Sequence, residues 1–300
     1  MDIVITYVNG LDPEWQRTYE QCTSTPILDK RFRDWGTLKY LFRGIQTNMP
    51  FIRKVHLVVS GPTQIPEWVN RQEVNVVLHS DIIPQEYLPT FNCNPIEMHL
   101  HRIKGLDEEF LYFNDDMFPM QHCQPTDFFR GGKGVIRMTR HLFAFDMFKK
   151  ICRNSTRVAY HALGRSVPFM FLRPQHICSP MLKSVCKEVY DKVNKEIATS
   201  LTPTRTADNY TQYLFLDYMF LNNRIINEEI TRNFFSTAIA SADSIAHCLR
   251  SSKRKIICIN DVELSKRRYE TLHSAVIEAF EEHFPEKSRY ESRQRLNSTT

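Results

Sequence analysis

The sequence predicts an α/β protein in which a mainly parallel sheet is flanked by helices and followed by a more helical C-terminal half. Short β-branched runs alternate with helical periodicity in the first half, and several of these runs end in polar residues. A composition of 42% hydrophobic and 24% charged residues is typical of globular proteins. We expect one catalytic domain over residues 1–300, with an α/β half (1–140) and a more helical half (141–300) that completes the site.

The first predicted strand is Ile3–Val8, which is rich in β-branched residues. A helix is predicted over Arg31–Met49, because apolar residues recur there at steps of three and four until Pro50. Two more strands follow at Val55–Val59 and Val74–Leu78. This order of elements is typical of a nucleotide-binding α/β domain.

An apolar run ends abruptly at three polar residues in the middle of the chain. Phe110–Phe113 predicts a buried strand, and Asn114, Asp115 and Asp116 follow it. Side chains at the carboxyl end of such a strand face the ligand crevice. Adjacent carboxylates repel each other unless a cation compensates, and Mg²⁺ or Mn²⁺ prefers such oxygen ligands. The alternative is a solvated turn rich in Asn and Asp.

Glu97 and His101 lie one turn apart on a short helix predicted over Pro95–Arg102. We favour a buried, ion-paired helix face, including Arg102, that positions the Asp pair. Half of a metal site is the weaker alternative, because no second half is evident.

The other predicted elements belong to the second half of the chain. They are strands over Val135–Met138 and Lys255–Ile259, and helices over Met181–Ala198 (capped by Ser179, with Pro180 in the first position), Tyr210–Leu221 and Glu270–Phe284. The last strand ends in Asn260 and Asp261, and the tail to Thr300 is expected to fray.

Several polar side chains are candidates for anion binding or proton transfer. Arg31, Lys39 and Arg43 occur on the first predicted helix, where a basic helix start can bind phosphate and a solvated face is the plain alternative. Asp12 follows the first strand, and His176 precedes the helix predicted from Met181. An ordinary turn and an ordinary loop histidine are equally good interpretations of these two segments alone.

The net charge of +5 suits an anionic substrate or membrane surface and is too small to predict nucleic-acid binding. Eight scattered cysteines without Cys-x₂-Cys spacing indicate free thiols in a reducing, cytoplasmic environment. No apolar run approaches the roughly 18 residues of a membrane-spanning helix. We therefore expect a soluble or peripheral protein.

Several segments, taken in order, form a pattern that can be compared with known families. They are Asp2–Pro13, Arg31–Tyr40, Leu88–Asn92, Ile96–Glu97, His101–Ile103 and Phe113–Asp116, with His176, Arg205, Asp208 and Asn260–Asp261 aligned by order and context. This pattern resembles the Stealth family of sugar-1-phosphate transferases. The family includes bacterial capsule polymerases and the catalytic subunit of the enzyme that adds N-acetylglucosamine-1-phosphate to lysosomal glycoproteins.

This resemblance implies a GT-A or Rossmann-like nucleotide-sugar-binding sheet. It also implies transfer of a hexose-1-phosphate, in particular an N-acetylhexosamine-1-phosphate, from a UDP-sugar to the hydroxyl of a glycan or growing polysaccharide, with release of UMP. A phosphodiester is formed, in keeping with capsular or cell-surface polysaccharide synthesis.

Roles for the candidate residues follow from that chemistry. A metal, Mg²⁺ or Mn²⁺, is assigned to Asp115 and Asp116 with Asp261. His176 is the expected base, with Asp12 second, and Arg205 is the expected catalytic cation. Donor binding is assigned to Asn9, Arg31, Asp34, Lys39, Arg43 and Asn114. The supporting residues are Glu97, His101, Arg102 and Asn260.

Two other functions are compatible with these motifs. A metal-dependent glycosyltransferase has a similar acidic motif but forms a glycosidic bond and releases UDP. A non-catalytic glycan- or nucleotide-sugar-binding module needs no base.

The resemblance implies work at the inner face of the cytoplasmic membrane, as in the capsule-building members of the family. Basic residues near the last helix could provide peripheral contact there, and a solvated tail is the alternative. They are Lys266, Arg267, Arg268, Lys287, Arg289, Arg293 and Arg295.

Overall fold

A five-stranded, mostly parallel sheet forms the centre of the protein in a computed structural model that describes residues 1–292. Its strands are β1 (Asp2–Thr6), β2 (Lys54–Val59), β3 (Val74–Leu78), β4 (Glu109–Asn114) and β10 (Ser179–Leu182). The strand order is β3-β2-β1-β4-β10, and β10 is antiparallel to β4. The predictions of a mixed α/β fold and of the four parallel strands are confirmed.

A second sheet of three strands continues directly from the first. It contains β5 (Met117–Pro119), β12 (Arg232–Ser236) and β13 (Ile256–Asn260), in the order β12-β13-β5. Because β5 follows β4 after only two residues, Asp115 and Asp116 form the junction between the two sheets.

Five short strands form two smaller sheets. They are β6 (Phe129–Arg130), β7 (Lys133–Val135) and β11 (Ile225–Ile226) in one, and β8 (Met138–His141) and β9 (Phe171–Pro174) in the other. The strand predicted over residues 135–138 is therefore wrong in extent, because its two ends belong to different sheets.

Helices surround these sheets. They are α1 (Pro13–Cys22), α2 (Asp29–Phe32), α3 (Leu38–Asn48), α4 (His79–Ile82), α5 (Cys93–His99), α6 (Met147–Ala162), α7 (Lys183–Lys192), α8 (Asn194–Ser200), α9 (Tyr213–Leu221), α10 (Ala242–Ser251) and α11 (Lys266–His283). Among the described residues, no helix is both long and apolar enough to cross a bilayer.

Two helix predictions are wrong in instructive ways. The helix predicted over residues 31–49 is interrupted between α2 and α3, where Gly36 adopts a positive φ of 65°. The helix predicted from Met181 begins two residues later, and Ser179 and Pro180 lie in strand β10 instead of capping a helix. Pro180 is tolerated because β10 is an edge strand.

One hydrophobic core joins the two halves of the chain. Apolar residues from β1 to β4 pack in the same core as residues from α9 and α11. Tyr40 of α3, for example, stacks on Phe280 of α11 with ring centroids 5.0 Å apart. A smaller aromatic cluster of Trp15, Tyr19 and Phe32 packs beside it with Phe91.

The segment after α11 is packed, so the prediction of a frayed tail is wrong as far as residue 292. Tyr290 is buried, and its carbonyl accepts a hydrogen bond from the backbone N–H of Asn70. Glu291 is also buried and forms a β-bridge with Val69. Arg293 and Arg295 lie outside the described residues.

Candidate active site

A cavity of about 290 Å³ opens at the carboxyl ends of the parallel strands. Its wall includes Thr6 and Tyr7 from the end of β1, Ser60 after β2, and Asn114 at the end of β4. β1 lies between β2 and β4, so the cavity occupies the point where the strand order changes direction. Open α/β sheets bind ligands at this position.

The turn between β4 and β5 places Asp115 and Asp116 in the cavity wall. Withdrawal from water, together with the charges of Asp116 and Asp34, raises the pKa of Asp115 to about 8. Withdrawal from water also raises the pKa of Asp116. The Oδ1 atom of Asp116 is buried and has no hydrogen-bond partner among the described residues. Two repelling carboxylates with an unpartnered oxygen fit a divalent cation.

His176 approaches Asp116 from the connection between β9 and β10. Ligand atoms of Asp116, His176 and Cys258 lie within 4.8 Å of one another. Burial lowers the pKa of His176, against the opposing effect of Asp116, so the imidazole is neutral near pH 7 and can accept a proton. The ring packs edge-on against Phe234, with centroids 5.7 Å apart.

Cys258 contributes a hydrogen bond to this cluster. Its Sγ donates to Asp116 Oδ2 at 3.5 Å. Burial raises the pKa of this thiol well above its usual range, and the charge of Asp116 adds to the shift. The sulfur is therefore protonated and orients the carboxylate, whereas metal binding would require a thiolate.

Asp261, which follows β13, also lines the cavity and is already held by donors. Its Oδ2 atom lies 3.2 Å from Arg33 Nη1 and accepts a hydrogen bond of 3.0 Å from Trp35 Nε1. The Arg33 guanidinium in turn lies over the ring of Tyr269, 4.6 Å from its centroid. In this arrangement, Asp261 fixes the segment between α2 and α3 against the second sheet.

Two arginines bring positive charge into the same cavity. Arg31 lies on α2, and Arg205 lies on the loop between α8 and α9. Burial lowers the pKa of Arg31, and the nearby charge of Arg205 lowers it further. The two guanidinium groups therefore interact electrostatically, and both line the cavity in which an anion would be attracted.

A hydrogen-bond network positions the loop that carries Arg205. Asn209 is buried, and its Oδ1 accepts from Thr206 N at 2.7 Å and from Asn92 Nδ2 at 2.9 Å. Glu97 accepts from Thr211 Oγ1 at 2.8 Å and from Gln212 N at 2.9 Å. Glu97 therefore supports the Arg205 loop and does not itself line the cavity.

The prediction that Glu97 forms an ion-paired face with His101 and Arg102 is wrong. His101 is buried against Tyr190, with ring centroids 5.1 Å apart. Arg102 is exposed and lies over the same ring at 5.0 Å. The α-helix ends at His99, and this change of geometry separates the later residues from Glu97.

Five other predicted site residues do not line the main cavity, and one of them is His176, which lies beside the lining residue Asp116. Asp12 caps α1 and accepts from Glu14 N at 2.8 Å and Trp15 N at 2.9 Å. Burial alone would raise its pKa, but these and further hydrogen bonds lower it below its usual value, which weakens it as a base. Asn9 lines a smaller adjoining cavity that shares Tyr7 and Asp34 with the main one.

The remaining two, Lys39 and Arg43, form ion pairs with residues near the C-terminus. Lys39 lies 3.1 Å from Glu281, and Arg43 lies 2.8 Å from the buried Glu291. Their charges are thus used to hold α3 against the end of the chain.

Sequence reasoning did not assign site roles to Arg33, Trp35, Tyr7 and Cys258. Arg33 and Trp35 flank Asp34 in a segment whose match to the family was recognised, so their position was the available signal. Tyr7 donates to Asp34 Oδ2 at 2.7 Å across the cavity wall. Gly10 was also missed. A larger residue would not fit at this position, because a Cβ atom there would lie 2.5 Å from the Phe32 carbonyl oxygen.

The sequence of this chain is similar to that of known proteins. The profile described as Stealth protein CR2, conserved region 2, matches residues 31–136. The capsular polysaccharide phosphotransferase WcwK of Streptococcus pneumoniae is 30% identical, with 97% of this chain and 99% of that protein covered. The receptor polysaccharide phosphotransferase WefC of Streptococcus oralis is 29% identical over the same shares. A capsular polysaccharide phosphotransferase of Streptococcus thermophilus, eps5J, is 37% identical over 57% of this chain and 77% of its own length.

The protein is an α/β enzyme with a cavity that is lined by both acidic residues and arginines. The chain belongs to the Stealth family, as the sequence predicted, and it is a phosphotransferase.

Proposed function

We propose that the protein transfers N-acetylhexosamine-1-phosphate from a UDP-sugar to a sugar hydroxyl of a polysaccharide acceptor, in the synthesis of capsular or cell-surface polysaccharide. The names of the relatives support a polysaccharide phosphotransferase. The observation that carries the proposal is one cavity that combines Asp115, Asp116, Arg31 and Arg205, with the neutral imidazole of His176 beside Asp116.

In this reaction, the acceptor oxygen attacks the phosphorus next to the donor sugar. The bond from that phosphorus to the UMP oxygen breaks, and UMP leaves with the electron pair. The bond between the anomeric carbon and its oxygen is not touched, so the anomeric configuration of the donor is retained. The acceptor proton goes to the neutral imidazole of His176.

Asp115 and Asp116 are the residues that would hold Mg²⁺ or Mn²⁺, since they combine mutual repulsion with an unpartnered oxygen. Such an ion neutralises the diphosphate and the departing UMP when it is bound. Cys258 orients Asp116 through its hydrogen bond. The bonds of Asp261 to Arg33 and Trp35 keep the end of β13 in place.

Arg31 and Arg205 bind the phosphate oxygens that gain charge as the bond to UMP breaks. Asn114 and Asp34 line the same cavity and position the donor, while Asn9 contributes from the adjoining cavity. The order β3-β2-β1-β4 with a ligand cavity at its reversal supports a GT-A-like arrangement.

Product identification tests this proposal directly. The protein is incubated with UDP-N-acetylhexosamines, Mg²⁺ and a panel of oligosaccharides, and the released nucleotide is separated by chromatography. We expect UMP and a new phosphodiester signal in the ³¹P spectrum. Release of UDP with a glycosidic product would instead identify a glycosyltransferase, and donor binding without any turnover would identify a binding module.

Replacement of a cavity arginine, compared with replacement of an exposed arginine, tests the anion site. Arg205→Ala should weaken donor affinity and lower turnover together, because a cation on the phosphate acts in both the ground state and the transition state. Arg224→Ala, which replaces an exposed arginine elsewhere on the chain, is the matched control and should behave as the wild type.

A further inference from the structure

Two neighbouring loops expose large apolar side chains at one end of the β8–β9 ribbon. Residues 142–147 follow β8 and residues 165–170 precede β9, and His141 pairs with Phe171 where the loops leave the ribbon. Phe145 is 81% exposed, Phe169 80% and Phe143 58%. We call these two loops the aromatic tip. Exposed aromatic clusters of this kind mark binding surfaces.

Positive charge is concentrated in the segment of the chain that contains the aromatic tip. Residues 137–174 contain eight Lys and Arg and a single acidic residue, Asp146, so this segment carries +7. The whole chain carries +5, and all other residues therefore sum to −2. Asp146 already pairs with Lys149 at 3.2 Å, and Arg140, Lys150 and Arg165 are exposed close to the tip in the chain.

The combination of aromatic loops and basic neighbours determines which partner fits. A second copy of the chain would bring two such basic surfaces face to face, and like charges oppose that contact. A nucleic acid would use the charge but leave the most exposed phenylalanines without an apolar environment. A bilayer with anionic lipids satisfies both features, because headgroups attract the basic side chains and the interface accepts the rings.

We infer that the aromatic tip docks the protein on an anionic lipid bilayer. Phe145 and Phe169 enter the interface, and the basic side chains around them contact lipid phosphates. β9 then leads from Met170 toward His176 over six residues, which is about 20 Å of extended chain. The inference goes beyond the proposed function, and lipid binding can be measured without any substrate.

Vesicle co-sedimentation of the full chain tests this inference. Vesicles of phosphatidylcholine alone are compared with vesicles of phosphatidylcholine and phosphatidylglycerol in a 3:1 ratio. We expect binding to the anionic vesicles only, with weakening at high salt. Phe145→Ser combined with Phe169→Ser should lower the apparent affinity at least tenfold, and Arg140→Glu combined with Lys150→Glu should do the same.

Matched controls separate the tip from other surfaces. Ile239→Ser replaces an apolar residue that is 87% exposed elsewhere, and Lys266→Glu with Arg267→Glu changes exposed charges at the start of α11. Both should bind vesicles as the wild type does, and all variants should keep the wild-type melting temperature. Absence of vesicle binding, equal binding by the Phe145/Phe169 variant, loss of binding only in the α11 variant, or a dimer that the phenylalanine changes dissociate would each overturn the inference.

Discussion

At the scale of single residues, the structure separates the two candidate bases that the sequence predicts. Asp12 and His176 are both candidate bases by residue type, yet Asp12 is fixed as a helix cap while His176 lies beside Asp116. The acidic pair and the two cavity arginines could be predicted, because strand ends and a matched motif indicate them. The ion pairs of Lys39 and Arg43 could not be predicted, since their partners lie more than 240 residues away.

Replacement of His176 tests the assignment of the base. His176→Ala should lower the rate of UMP release by roughly 10²- to 10⁴-fold while donor affinity is retained, because general base catalysis acts on the acceptor proton. Initial rates and donor titration by calorimetry measure the two quantities. His122→Ala, at an exposed histidine, is the control. Turnover within a few-fold of the wild type would remove His176 from this role.

Binding of a divalent cation should depend on pH because of Asp115. Its pKa of about 8 lies far above the ordinary 3.8, so the folded protein holds a proton that the unfolded chain loses between these values. This group therefore makes the fold less stable as pH rises through that range, and a bound cation relieves the repulsion. We expect Mg²⁺ or Mn²⁺ to raise the melting temperature more at pH 8.5 than at pH 6.

The matched variant for this measurement is Asp116→Asn, which removes one carboxylate and should abolish the metal-dependent shift. Asp191→Asn, at an exposed acidic residue on α7, should leave the shift unchanged. A metal-dependent shift of equal size at both pH values, or one retained in Asp116→Asn, would argue against a cation at this turn.

At the scale of elements, the sequence predicts long apolar strands well and short segments poorly. Val55–Val59 and Phe110–Phe113 are recognised because each is a short run rich in β-branched or aromatic residues. Ser179–Leu182 is misassigned because Ser-Pro resembles a helix start, and only pairing with β4 makes it a strand. Such pairing is a long-range effect that local propensity does not contain.

The ion pair between Arg43 and Glu291 should hold α3 to the segment after α11. Both side chains are buried, and Arg43 also donates to the Phe284 carbonyl at 2.7 Å. Arg43→Met should lower the free energy of unfolding by about 3–5 kcal/mol, because Glu291 is left buried without its partner. Denaturant unfolding measures this change, and donor affinity of the folded variant should be unaffected.

The control for this variant is Lys39→Met, which breaks the exposed pair with Glu281. It should lower the free energy of unfolding by only about 0–1 kcal/mol, since solvent screens such a pair. Comparable losses of unfolding free energy for the two variants would contradict this structural role of Arg43. A loss of donor affinity in Arg43→Met would support its assignment to donor binding.

At the scale of the whole molecule, the two halves share their core and their central sheet. β10 comes from the second half and completes the sheet beside β4, while α11 packs on α3 through Tyr40 and Phe280. The sequence predicts one domain from length and the absence of a linker. The pairing of β10 with β4, which unites the halves, is visible only in the structure.

We therefore expect the chain to unfold in a single cooperative transition. Residues 1–140 produced alone should not fold, because they lack β10 at the edge of β4 and the helix that covers Tyr40. Differential scanning calorimetry of the full chain and circular dichroism of the fragment measure these outcomes. Two resolved transitions, or a fragment with a cooperative melt, would show that the halves are independent domains.

The junction between the two sheets also restricts which changes of length the chain can tolerate. Asp115 and Asp116 lie between β4 and β5, and β5 is paired in register with β13, whose end carries Asn260 and Asp261. One inserted or deleted residue in β5 or β13 would turn every following side chain to the opposite face of its strand. Insertions and deletions should thus be purged from residues 115–119 and 256–261 during divergence.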